Sequence, residues 1–135
     1  MREQLTDRLK AMPDLSIYPE NVLYDAAMSN PVKYGKEHSE QISELIETAN
    51  LMLVPYVDAH PALTAALTSD DPYQRYWAAT ACAHFGEEAS ELAHTARPLL
   101  NDENPMVRVR AAEFLGRIDK VDPRTTLIDV VNSSD

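Results

Sequence analysis

The 135-residue chain has one cysteine, Cys82, so it forms no internal disulfide and offers no multi-cysteine metal site. Three glycines and few β-branched runs beside abundant alanine argue against a sheet protein and for helices. No basic block is present. The net charge is −10, split evenly between residues 1–67 (5 basic, 10 acidic) and 68–135 (7 basic, 12 acidic). This balance excludes a nucleic-acid backbone or an anionic membrane surface as partner and reads as a solvated acidic surface. No apolar run reaches the ~20 residues of a membrane span, so no membrane insertion is expected. Residues 1–10, MREQLTDRLK, are polar and helical rather than a signal peptide.

What is present is an internal repeat. Asp71-Pro72-Tyr73-Gln74-Arg75-Tyr76-Trp77-Ala78-Ala79 aligns with Asn104-Pro105-Met106-Val107-Arg108-Val109-Arg110-Ala111-Ala112, and Pro72 to Pro105 is a step of 33. The step also joins Leu67 to Leu100, Cys82 to Leu115 and Phe85 to Ile118. Each unit reads as a first helix (61–67, then 90–100), an acidic turn, and a second helix (72–85, then 105–118). Asp71 and Asn104 are suitable N-caps, with Pro72 and Pro105 at N1, where a missing N–H costs nothing. Apolar positions at i, i+3/i+4 and i+7 give each second helix one buried face. The alanine pairs allow close approach between helices.

A third unit begins at Thr125–Val131, and Asn132-Ser133-Ser134-Asp135 resembles the next acidic turn. A solenoid ending on half a repeat leaves an apolar face uncovered, so either this helix caps the stack or more chain follows. The first 60 residues are less regular. A helix is expected at 2–12 with Leu5, Leu9 and Met12 on one face, then a loop from Met12-Pro13 to Tyr18-Pro19. A short helix is expected at 20–28, and an amphipathic one at 37–52 that shares a face among Ile42, Leu45, Ile46, Ala49 and Leu53. Val54-Pro55 and His60-Pro61 read as turns. The expected organisation is a single all-α domain: linker helices in 1–60 packed on an α-α superhelix of two and a half units in 61–135.

The Asp-Pro-x-x-Arg…Ala-Ala pattern resembles the HEAT repeat family. Val107-Arg108, Ala111-Ala112 and Leu115-Gly116 match it; Gln74 departs, since valine is usual there. Arg75-Tyr76-Trp77-Ala78-Ala79 is also similar to the repeat behind the catalytic domain of bacterial sulfatases of the arylsulfatase and heparan-sulfatase-like type. Asp14-Leu15-Ser16-Ile17-Tyr18-Pro19-Glu20, Tyr24-Asp25-Ala26-Ala27 and Pro31-Val32-Lys33-Tyr34 resemble the segments leading into that repeat. The resemblance implies a non-catalytic accessory domain of a sulfuric ester hydrolase, packed on its own catalytic domain or aiding substrate presentation. It also implies an exported parent whose calcium, formylglycine and signal lie upstream of Met1. The sulfatase Cys/Ser-x-Pro-x-Arg motif is absent here: Cys82 stands in Thr80-Ala81-Cys82-Ala83-His84. The alternative is a free-standing scaffold that binds another protein through its inner face.

No set of residues forms an active site within the chain. Cys82 and His84 stand two apart on a helix and point in different directions, and Cys82 repeats the core position of Leu115. His38, His60, His84 and His94 lack metal-ligand spacing, and Asp70 and Asp71 lack the further oxygen ligands calcium needs. No catalytic residue, metal ligand or cofactor is therefore assigned. A lyase of the kind some HEAT-like repeats have become would carry dense inward histidines or acids. The second helices here offer tyrosine, threonine, valine and arginine.

Two groups remain. Asp71, Arg75, Asn104 and Arg108 are expected to form a structural ladder, each arginine pairing with an acidic turn of a neighbouring unit. Tyr73, Tyr76, Trp77 and Arg110 are the candidate binding residues. Trp77 is expected in the core. Tyr73 and Tyr76 are expected exposed on the inner face, where aromatics meet a partner domain or stack on a sugar ring. For this cluster, packing is the favoured account over binding.

Overall fold

The computed structural model describes residues 2–12 and 14–133, and these contain helices and turns without a strand. The chain divides into two compact units, Met1–Glu47 and Thr48–Asp135.

The first unit opens with α1 (Arg2–Ala11), a 3-10 turn at Leu15–Ile17, and α2 (Glu20–Val22), which widens into a π-helical turn at Leu23–Ala27. Then come α3 (Pro31–Glu37) and α4 (Ser39–Asn50). Asp14 caps the 3-10 turn by accepting from the Ser16 N–H at 2.9 Å. Leu5 and Met12 are exposed rather than buried, and the Leu9 side chain lies outside the described residues, as does Pro13 of the expected loop. The helix expected at 37–52 is α4, shorter at both ends: Glu37 belongs to α3, which His38 ends at φ −109° and ψ 18°. Ile42, Leu45 and Ile46 are buried on α4, joined by Tyr18, whose hydroxyl donates to Gln41 Oε1 at 2.6 Å. Leu53 leaves the predicted face and is exposed. The chain tightens to 3-10 at Leu51–Leu53, which rotates each residue further than an α-helix does.

The second unit holds the repeats. α5 spans Tyr56–Leu67 and runs through Pro61, so His60-Pro61 is not a turn. Pro61 and Val57 are both exposed, so the Val57 carbonyl that Pro61 cannot serve lies on the solvent side of α5. α6 (Pro72–Phe85) follows the Asp71 cap, and Gly86 stops it at φ +59°, ψ −124°, a conformation open mainly to glycine. The helix expected at 90–100 is instead a 3-10 segment, Gly86–Leu92, a single turn α7 (Ala93–Ala96), and a second 3-10 segment, Arg97–Asn101. Pro98 cannot donate to the His94 carbonyl, so the α-helix ends there. The tighter winding buries Leu99, and Leu100 is only partly covered. α8 (Pro105–Arg117) and α9 (Pro123–Asn132) complete the unit.

The core lies between α5, α6, α7 and α8. Ala78, Ala79, Ala111 and Ala112 are fully buried, which lets α6 and α8 pack backbone-close. Leu63, Leu67, Cys82, Val107, Phe114 and Leu115 fill the space around them.

Candidate functional site

The repeat geometry converges on the seam between α6 and α8. Asp71 starts α6 by accepting from the Tyr73 N–H at 2.8 Å, and Asn104 starts α8 by accepting from the Met106 N–H at 2.9 Å. One turn into each helix stands an arginine. Arg75 Nη1 donates to the carbonyls of Ser69 (2.7 Å) and Asp70 (3.0 Å) in its own turn. Its Nε and Nη2 donate to the two carboxylate oxygens of Asp102 in the next turn, at 2.7 and 3.0 Å. The two side chains are 17% and 5% exposed, so this fork-to-fork pair is largely shielded from water. Arg108 grips its own turn the same way, through the Asp102 (2.8 Å) and Glu103 (3.3 Å) carbonyls.

Electrostatics at Asp102 follow from this geometry. Burial alone raises its carboxyl pKa. The Arg75 hydrogen bonds, the Asn104 N–H and the Arg75 and Arg108 charges outweigh burial and hold it below the ordinary 3.8.

Beside this clasp lies a second cluster. Arg110 Nη2 donates to the Tyr76 hydroxyl at 2.9 Å, and Nη1 donates to Glu113 at 2.7 Å. The guanidinium also lies 5.1 Å from the centre of the Tyr76 ring. Its Nε is buried without a hydrogen-bond partner among the described residues. Tyr76 is therefore not exposed: it is 8% accessible, covered by Arg110 from the next helix. Tyr76 meets Trp77 edge-on at 5.4 Å, and Trp77 packs against the core. Tyr73 is half-covered near the start of α6.

The α6–α8 seam thus gathers Tyr73, Tyr76, Trp77 and Arg110 on one side, and Asp71, Arg75, Asn104 and Arg108 around the turns. The Arg75–Asp102 pair is the expected bond from an arginine to the acidic turn of the neighbouring unit, whereas Arg108 bonds only carbonyls of its own turn; Asp102 itself and Glu113 were not singled out. Asp102 stands where the preceding repeat has Ser69, so the repeat pattern hid it; Glu113 was signalled by its i+3 spacing from Arg110.

The remaining reactive groups have ordinary structural settings. Cys82 is fully buried, and burial pushes its thiol up to about 12. Tyr56 donates to Glu91 at 2.9 Å; burial first, then Glu91, raises its pKa. Among the described residues no group of three His, Cys, Asp or Glu side chains is placed to hold a metal ion. Among them, too, no helix is long and apolar enough to cross a membrane.

A family model for HEAT repeats matches residues 60–135, more than half of the chain. Neither a curated protein nor a solved structure matches it.

Proposed function

The chain belongs to the HEAT-repeat family, and from that premise we propose that it is a non-catalytic scaffold that binds another protein along its repeat surface. The observation that carries this reading is the HEAT match over 60–135, since such repeats commonly mediate protein interactions. The clasp supports it: Arg75 and Asp102 fix the turns of successive units, which keeps the α6–α8 surface preorganised. A rigid surface loses less entropy on binding. Tyr73 and Trp77, both partly accessible, are the aromatic contacts offered on that surface.

The test is site-specific photo-crosslinking in cells, with the reactive amino acid at Tyr73 or Trp77, and at Arg97 behind the seam as control. A discrete protein adduct from the first two positions and not from Arg97 is the expected result. Equal or absent adducts at all three would overturn the reading. A narrower version makes the partner the chain's own sulfatase catalytic domain. Its support is the Arg75–Ala79 and Asp14–Glu20 resemblance, to which the HEAT match adds nothing. An in-frame Cys/Ser-x-Pro-x-Arg motif in the gene upstream of Met1 tests that version.

A further inference from the structure

α9 repeats α5. At a step of 64, Val57-Asp58 aligns with Val121-Asp122, Leu63 with Leu127, Leu67 with Val131, and Ser69 with Ser133. Both helices therefore carry the same apolar face, but they meet different fates. In α5, Leu63 and Leu67 are 0% and 1% exposed, closed over by α6. In α9, Leu127 and Val131 are 37% and 71% exposed, with Ile128 at 57% beside them. The third position shows that the register is real, since Ala66 and its counterpart Val130 are 7% and 8% exposed. α9 is seated on α8 as α5 is on its own neighbours; what differs is that no second helix closes it among the described residues.

The open face continues into a groove of about 560 Å³ between α8 and α9, lined by Val109, Gly116, Arg117, Pro123 and Leu127 together with Arg110 and Glu113, which pair with each other. Val109 stands 33 residues after Tyr76, so it occupies the position on α8 that Arg110 covers on α6.

Charge narrows the occupant. Residues 105–135 hold five basic and five acidic residues, so the whole net charge of −10 lies in residues 1–104. Arg117 on the groove is exposed and has no carboxylate partner among the described residues. An acidic segment is repelled by most of this chain and accepted at this end. Area narrows it further. The three exposed α9 side chains present on the order of 300 Å² of apolar surface, well below the ~800 Å² per partner of a stable dimer. That area suits one helix laid in a groove better than a second copy.

We propose that the α8–α9 end of the repeat stack is a docking site for an amphipathic partner helix. Its small and aliphatic stripe lies on Leu127, Ile128 and Val131, and an acidic residue on its flank faces Arg117. This surface adjoins the α6–α8 seam, since Arg110 and Glu113 border both, but its test rests on Arg117 and α9, which lie outside that seam.

The probe is a synthetic 18-residue alanine–leucine amphipathic peptide with glutamates along its flanks, titrated into the full chain while the α9 methyl resonances are followed. A second peptide has lysines in place of the glutamates. The acidic peptide is expected to saturate and to shift Leu127, Ile128 and Val131, with the basic peptide about tenfold weaker or worse. Arg117→Glu is expected to reverse that preference. Ile128→Asp with Val131→Asp abolishes binding while leaving the melting temperature within a few degrees, because these positions are 57% and 71% exposed. Equal affinity for the two peptides, no saturation, or a preference unmoved by Arg117→Glu would overturn the proposal. A concentration-dependent dimer by light scattering that disappears in the double variant also overturns it, in favour of a second copy.

Discussion

Removing Arg75 tests whether the turn-to-turn clasp holds the repeats together. Arg75→Ala deletes four hydrogen bonds at 2.7–3.0 Å and leaves the Asp102 carboxylate shielded, with the Asn104 N–H at 2.9 Å still donating to it. Exposed ion pairs contribute 0–1 kcal/mol and breaking a fully buried pair costs 3–5 kcal/mol, so a largely shielded pair implies a loss of about 3 kcal/mol. Arg108→Ala removes two bonds to carbonyls at the surface end of the same pattern, a loss of about 1 kcal/mol. At roughly 4 °C or more per kcal/mol for a unit of this size, Arg75→Ala should lower the melting temperature by about 12 °C and Arg108→Ala by about 4 °C. Circular dichroism melts and urea titrations read both. A double-mutant cycle with Asp102→Ala isolates the pair and should return a coupling of about 1–3 kcal/mol. Arg75→Lys should restore little, because an ammonium cannot serve both carboxylate oxygens and the turn carbonyls in one plane. Equal melting temperatures for the two alanine variants, or a coupling below about 0.5 kcal/mol, would refute the reasoning.

The same pair carries a pH signature. The folded Asp102 pKa lies below 3.8, so its contribution is complete above the unfolded value and is lost as pH falls through the folded one. The stability gap between the native chain and Asp102→Asn should therefore close between pH 4 and the folded value; a gap that is constant down to pH 2 sinks the assignment. Gly116→Ala places a Cβ 2.9 Å from Pro123 Cγ, and overpacking of this kind costs about 1–3 kcal/mol, read as a lower urea midpoint. Cys82, fully buried and with its thiol pushed up to about 12, should resist iodoacetamide at pH 8 except through unfolding. Its labelling rate should rise in Arg75→Ala in step with the lost stability, and prompt labelling of the native chain would contradict its place in the core.

The second helices were legible because their start signals are local. An Asx cap followed by proline fixes Pro72 and Pro105, and the alanine pairs fix which face is buried. The same signal at Asp122-Pro123 starts α9 two residues before Thr125, with Asp122 accepting from the Arg124 N–H at 3.1 Å. Pro61 was misread because a proline in a helix is tolerated where the orphaned carbonyl faces water, and that depends on which side of α5 meets solvent. Tyr76 was placed at the surface because its own helix leaves it there; Arg110, from the following repeat, covers it. No local pattern encodes a lid supplied 34 residues away. The neighbouring acidic turn was legible as the partner of Arg75, but not which of its residues: Asp102 has Ser69 as its counterpart, so the repeat does not single it out.

These successes and failures fall on the two kinds of segment in each unit. α6 and α8 end close to where the spacing placed them, whereas the segments before them are a proline-containing helix in one unit and mostly 3-10 turns in the next. The difference follows from what each must satisfy. A second helix is held at three points: its cap, its arginine on the turn carbonyls, and alanines buried to 0% against the neighbouring second helix. A β-carbon more or a turn less breaks one of them. A first segment has only to deliver a few apolar side chains to the core: Leu63 and Leu67 in one unit, Leu92 and Leu99 in the next. Helical and 3-10 backbones both do that, at the cost of shifting which leucine faces inward, as the exchange of Leu100 for Leu99 records. Specification of the repeat therefore resides in the turns and second helices.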